Sequence, residues 1–168
     1  DLSPRIQEAC RSAGWSSLAP VQARSIPVLL RGDDLMVQSR TGSGKTGAFL
    51  LPMLERLNPD QAACQALILV PTRELARQVH AEAQTLFKDS GLRTAAVFGG
   101  VGYKEQFDAL REGAHVVVGT PGRILDHLLK GSFATKKLRI LVMDEADRML
   151  SMGFYQDMVQ IRGYLPQS

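Results

Sequence analysis

Leu35-Met36-Val37-Gln38-Ser39-Arg40-Thr41-Gly42-Ser43-Gly44-Lys45-Thr46 is the stretch on which the fold turns. A short apolar run, Leu35 to Val37, reads as a strand that reaches Gln38, and Gly44 to Leu57 reads as a helix. Between them the pattern G-x-x-x-x-G-K-[ST] is met except at its first position, where Ser39 stands for glycine. Gly42 and Gly44 let the backbone turn tightly and come close to a phosphate. Successive N–H groups then point inward, and the start of the following helix adds its positive end. Lys45 is placed to reach β- and γ-phosphates, and the Thr46 hydroxyl is placed to hold magnesium. The whole loop, Ser39, Arg40, Thr41, Gly42, Ser43, Gly44, Lys45 and Thr46, is therefore expected to cradle a nucleoside triphosphate with Mg2+.

Moving outward, the same alternation continues. The apolar runs Ala66–Val70, Thr94–Phe98, Val116–Val118 and Leu138–Met143 are short and aliphatic, as strands covered on both faces are. From Arg73, Leu75, Val79, Ala83 and Leu86 fall on one helical stripe, with Arg77, His80, Glu82 and Gln84 off it. Ile124 to Leu129 also reads as helix, and Leu150 to Phe154 as helix and turn. Strands alternating with helices predict an α/β domain, a mainly parallel central sheet with helices on both faces. In such sheets ligands sit at the carboxyl ends of the strands. The informative clusters follow apolar runs: 39–46, Pro71 to Ala76, Gly99-Gly100, Thr120 to Arg123 and Asp144 to Asp147. They are expected to converge on one edge of the sheet.

Composition narrows the class. A chain of 168 residues, 45% apolar and 22% charged, suits one globular domain spanning residues 1–168. The net charge of +3 permits a nucleic-acid partner without demanding one. Cys10 and Cys64 have no C-x-x-C spacing, so a thiolate metal site is not expected, and a reducing cytoplasm is the simplest setting. No apolar run approaches the roughly 18 residues of a membrane span. His80, His115 and His127 have no partners in sequence and read as structural or exposed.

The run Leu138–Met143 ends in Asp144-Glu145-Ala146-Asp147. An acidic residue closing a buried strand is where the magnesium partner of a phosphate loop belongs. Asp144 is expected to hold the metal, in part through water. Glu145, next along, can accept a proton from an attacking water.

With the phosphate loop, Asp144-Glu145-Ala146-Asp147 resembles the DEAD-box RNA helicases. The resemblance runs from residue 14 to residue 147 in the family's order. Ser39 to Thr46 is similar to motif I. Pro71-Thr72-Arg73-Glu74-Leu75-Ala76 matches motif Ia, Gly99-Gly100 the family's paired glycines, and Thr120-Pro121-Gly122-Arg123 motif Ib. Gly14 to Gln22 is similar to the adenine-reading Q motif, with Gln22 kept, Leu18 in place of Pro and Ala19 in place of Thr or Ser.

The resemblance implies a RecA-like fold and an ATP-dependent RNA helicase with ATP and Mg2+ as cofactors. Gln22 would read adenine, since its amide both donates and accepts. Pro71, Thr72, Arg73, Gly99, Gly100, Thr120, Pro121, Gly122 and Arg123 would grip the sugar–phosphate backbone of RNA with little regard to sequence. Lys45, Asp144 and Glu145 would serve catalysis. Asp147 would couple to a second RecA-like domain, which with its arginines and the S-A-T motif would lie outside this chain, leaving the chain alone nearly inactive. An ATP-dependent RNA clamp and a different P-loop enzyme are the competing readings.

Overall fold

Short apolar runs pair as a parallel sheet in the computed structural model, which describes residues 2–38, 44–100 and 102–166. The strands are β1 (Ala66–Leu69), β2 (Thr94–Val97), β3 (Val116–Gly119) and β4 (Ile140–Met143). They lie in the order β2-β3-β1-β4, with Ala66 opposite both Val116 and Ile140, and Thr94 opposite Val116. The helices are α1 (Pro4–Ser12), α2 (Pro20–Leu30), α3 (Lys45–Arg56), α4 (Arg73–Leu86), α5 (Tyr103–Arg111), α6 (Pro121–Leu129), α7 (Ala146–Ser151) and α8 (Tyr155–Arg162). The α/β class read from the sequence is borne out. So is the helix from Arg73.

The chain divides into two units, Pro59–His80 with Arg93–Ser168, and Asp1–Asn58 with Ala81–Leu92. The first contains the sheet. Its central strands β1 and β3 are buried at every position, as β-branched and aliphatic runs covered on both faces should be. The outer strands β2 and β4 alternate, and Met143 on β4 is 51% exposed. Leu67, Leu69, Val97, Val117, Ile124 and Met149 form the centre of this core. Because the strands are parallel, the residues after β1, β2, β3 and β4 emerge at one edge of the sheet.

The second unit is helical. Ser3 Oγ accepts from Ile6 N–H and Pro4 sits at the first helical position, so α1 starts with its orphan donors met. α3 packs on α1 and α2, burying Leu50, Leu51, Met53 and Leu54 with Ile6 and Ile26.

The predicted strand at Leu35–Val37 is not formed. Residues 33–38 carry no strand, and Met36 is 96% exposed. Leu35 and Met36 stay exposed between Asp33-Asp34 and Gln38 and Val37 is only partly buried, and an apolar run that short does not by itself fix a strand. α6 begins at Pro121, ahead of the predicted Ile124, because Thr120 takes the N-cap position and Pro121 the first helical one. No helix among the described residues is long and apolar enough to cross a membrane.

Candidate functional site

In the helical unit, the described part of the phosphate loop is Gly44, Lys45 and Thr46; residues 39–43 lie outside the described residues. Gly44 is the N-cap of α3 with φ +88°, a left-handed conformation that glycine adopts at no steric cost. A β-carbon there would come within 2.8 Å of Gln22 Nε2. Lys45 and Thr46 open the helix, where N–H groups lack intrahelical partners and favour an anion.

Gln22 is 3% exposed and braces this turn. Its Nε2–H donates to Gly44 O at 3.0 Å, and its Oε1 accepts from Ala19 N–H at 2.9 Å. The second bond is the backward half of a capping box, and Ala19 has no hydroxyl to make the forward half. Trp15, absent from the sequence-based site, lies against Gly47, where a β-carbon would meet its ring at 2.8 Å.

In the sheet unit, the clusters singled out in the sequence follow the strands. Thr72 Oγ1 accepts from Leu75 N–H at 3.2 Å and so starts α4, with Pro71 buried before it. Arg73 Nη1 donates to Gly99 O at 3.5 Å. Gly100 has φ +84°, and a β-carbon there would collide with Arg73 Nη1. Arg123, on the first turn of α6 after Gly122, also reaches this turn, its Nη2 lying 3.9 Å from where a Gly99 β-carbon would stand. Two guanidinium groups thus meet at one glycine turn. Such a pairing suits phosphate oxygens, which guanidinium forks bind with directed bonds.

Asp144 follows β4 and is 5% exposed, its N–H donating to Leu69 O at 2.9 Å. Glu145 is the N-cap of α7 at φ 54°, ψ 50°. A non-glycine residue held there costs on the order of 1–3 kcal/mol, a strain found where a side chain must be aimed. Glu145 Oε1 accepts from Arg148 Nη1 at 3.4 Å, and Asp147 is exposed in the first turn of α7. Among the described residues no cluster of three or more His, Cys, Asp or Glu is present. Thr46 in the helical unit offers a hydroxyl and Asp144 in the sheet unit a carboxylate, each a hard oxygen donor of the kind Mg2+ takes.

Sequence reasoning missed Gln106 and Tyr103 on α5. Gln106 Nε2–H donates to Phe98 O at 2.9 Å and its Oε1 accepts from Arg123 Nη1 at 3.3 Å. The Arg123 guanidinium also lies 5.7 Å from the Tyr103 ring centroid. The available signal was a polar residue at a core position, one helical turn before buried Leu110. The histidines are structural. His80 Nδ1 pairs with Thr94 Oγ1 at 3.0 Å. His115 Nδ1 accepts from Arg93 N–H, which leaves Nε2–H for Pro59 O at 3.0 Å. His127 is buried with both ring nitrogens unpartnered and stacks on Tyr103 at 4.4 Å. Burial lowers the pKa of all three. Burial also pushes the Cys64 thiol up to about 12, so that thiol is inert.

The family described as DEAD/DEAH box helicase matches residues 19–168. The chain is 49% identical over 168 residues to the ATP-dependent RNA helicase DeaD of Escherichia coli strain K12, covering 99% of this chain and 27% of that protein. It is 40% identical to the DEAD-box ATP-dependent RNA helicase CshA of Geobacillus kaustophilus, over 98% of this chain and 35% of that one. The chain thus spans about a quarter to a third of the length of these curated relatives. Among solved structures, a DEAD box protein from the hyperthermophile Methanococcus jannaschii superposes with TM-score 0.91 at 41% identity, covering 99% of this chain and 46% of that one. A hypothetical ATP-dependent RNA helicase from Sulfolobus tokodaii gives TM-score 0.88 at 37% identity, covering 97% and 47%.

Proposed function

The chain belongs to the DEAD/DEAH box helicase family, and from that premise we propose that it is the ATP- and RNA-binding portion of an ATP-dependent RNA helicase. The observation that carries the RNA half is the meeting of Arg73 and Arg123 at the Gly99-Gly100 turn, beyond the carboxyl ends of parallel strands. Arg73 and Arg123 pair with phosphates, and Gly99 and Gly100 let the strand approach the backbone closely. Thr72, Thr120, Pro121, Gly122 and Pro71 shape the helix starts that hold the arginines. Contacts of this kind position a strand without reading its sequence.

In the ATP half, Lys45 draws the β- and γ-phosphates to the start of α3, and the pattern from Ser39 to Thr46 is that of a phosphate loop. Gln22 meets the adenine edge with the second N–H and second lone pair of its amide, beyond those it uses on Gly44 and Ala19. Thr46 and Asp144 are the residues that would each offer an oxygen to Mg2+, which would offset the charge of the phosphates. Glu145 takes the proton of the attacking water. Asp147 couples the site to a second RecA-like domain, a reading supported by the 27% share of the DeaD relative that the chain spans. A reducing, cytoplasmic setting accords with two buried, free cysteines.

In the full-length protein, Lys45→Ala is expected to lose nucleotide binding. Glu145→Gln is expected to keep nucleotide binding and lower kcat by about 10²–10⁴-fold. Normal hydrolysis by Glu145→Gln would remove the general-base assignment.

A further inference from the structure

We propose that Gln106 is a positioning residue that fixes the Arg123 guanidinium against the Gly99-Gly100 turn, so that both present one preset surface to an RNA backbone. This rests on the reading of Arg123 as a phosphate contact. Gln106 lies in the middle of α5 and is 5% exposed. Burying a glutamine sacrifices rotamer freedom and hydration, and only hydrogen bonds at both ends of the amide offset that loss.

Both ends are bound, and the two bonds agree on the amide's orientation. The Phe98 carbonyl can only accept, so it faces Nε2. The Arg123 guanidinium can only donate, so it faces Oε1. A flipped amide would set oxygen against oxygen and nitrogen against nitrogen. No other side chain of similar length does both: glutamate cannot donate to Phe98, and methionine cannot donate and accepts only weakly.

The geometry makes Gln106 a bridge. Phe98 is the residue immediately before the glycine pair, and its carbonyl is held from inside. Arg123 is held from the same helix twice, by Gln106 and by the Tyr103 ring one turn earlier. Tyr103 is itself fixed. His127 stacks on it with planes 8° apart, and its hydroxyl lies 3.1 Å from Ser132 Oγ. An arginine with its guanidinium already oriented loses less freedom on meeting a phosphate than one that must be ordered on contact. Gln106 touches no RNA in this account; it acts through Arg123 and through the backbone before Gly99.

A double-mutant cycle on the full-length protein tests this. Gln106→Met and Arg123→Ala are made singly and together. Binding of a fluorescein-labelled single-stranded oligouridine is read by anisotropy with a non-hydrolysable ATP analogue present. Affinity for that analogue without RNA, and thermal melting, are the controls. Gln106→Met is expected to weaken RNA binding on the order of tenfold in the parent background and less than about twofold on Arg123→Ala, the non-additivity of coupled neighbours. Analogue affinity is expected to stay unchanged. A loss that persists in full on Arg123→Ala, or that falls equally on the analogue, would overturn the proposal and make Gln106 a packing residue. Should Gln106→Met unfold at the assay temperature, Gln106→Glu carries the same comparison, since it keeps the shape and one acceptor. It is expected to weaken RNA binding because its charge neutralises Arg123. If Arg123→Ala weakens RNA binding while neither Gln106 variant does, the Gln106 role alone fails. If Arg123→Ala leaves RNA binding intact, the phosphate reading of Arg123 fails and the proposal with it.

Discussion

In the helical unit Gln22 donates to Gly44 O at 3.0 Å and accepts from Ala19 N–H at 2.9 Å; in the sheet unit Gln106 donates to Phe98 O at 2.9 Å and accepts from Arg123 at 3.3 Å. Both are buried, and both hold the carbonyl of a glycine-bearing turn. They differ in what the amide oxygen does. That of Gln22 completes the start of its own helix, a bond between residues 19 and 22. That of Gln106 holds a charged side chain from another helix. The first is a local device that shapes a turn. The second links the order of a turn to the Arg123 side chain.

Substitutions at the two turns should separate these devices. Gly44→Ala forces a β-carbon into left-handed backbone and onto Gln22, so a loss of about 2–5 kcal/mol is expected from strain and the lost amide contact together. Gly100→Ala carries the same backbone cost, but its clash is with the far end of the exposed Arg73 side chain, which can swing aside. About 1–2 kcal/mol is expected there, with RNA affinity falling and nucleotide affinity unchanged. Urea unfolding of the two variants measures this, and equal losses would erase the distinction.

Gln22→Ala leaves Ala19 N–H and Gly44 O without their partner and is expected to cost about 1–3 kcal/mol. Ala19→Thr should act in the opposite direction. It supplies the missing hydroxyl of the capping box and is expected to add about 1 kcal/mol. A neutral or destabilising result would mean that α2 does not begin as described.

The smallest effect concerns His127 beneath Tyr103. Burial, then Arg123 and Lys130, lower its pKa, and Asp126 opposes them. The folded state therefore favours the neutral ring. That contribution is full above the ordinary histidine value of about 6.5 and is lost as pH falls through the lowered folded value. His80 and His115 act in the same sense. His127→Phe keeps the stack and removes the titration. Between pH 7.5 and 5.5 its melting temperature should fall less than the parent's; a parallel fall would exclude His127 from the acid sensitivity.

β1 and β3 were legible in the sequence because every residue in them is buried, so an unbroken aliphatic run is the whole signal. α4 was legible from its stripe. Leu35–Val37 misled because a short apolar run looks the same whether it is buried or, like Met36, open to solvent. α1, α2, α5 and α8 went unread. α2 carries Pro27 in its interior, and α8 places only Ile161 in the core. Gly44, Arg73, Gly99, Gly100, Arg123 and Asp144 were singled out by local pattern, and the sheet unit brings Arg73, Arg123 and the glycine pair together. Gln106 was not found. Its partners lie 8 and 17 residues away, and only folding gives a polar residue on a core stripe its two bonds.

Lys45 is proposed to bind nucleotide, Glu145 to take the proton of the attacking water, and Arg73 and Arg123 to hold RNA. The most direct test is ATP hydrolysis by the full-length protein with and without single-stranded RNA, beside Glu145→Gln. RNA is expected to raise turnover in the parent, and Glu145→Gln to lower it by about 10²–10⁴-fold in both conditions while still binding nucleotide. Hydrolysis indifferent to RNA, or undiminished in Glu145→Gln, would contradict the account.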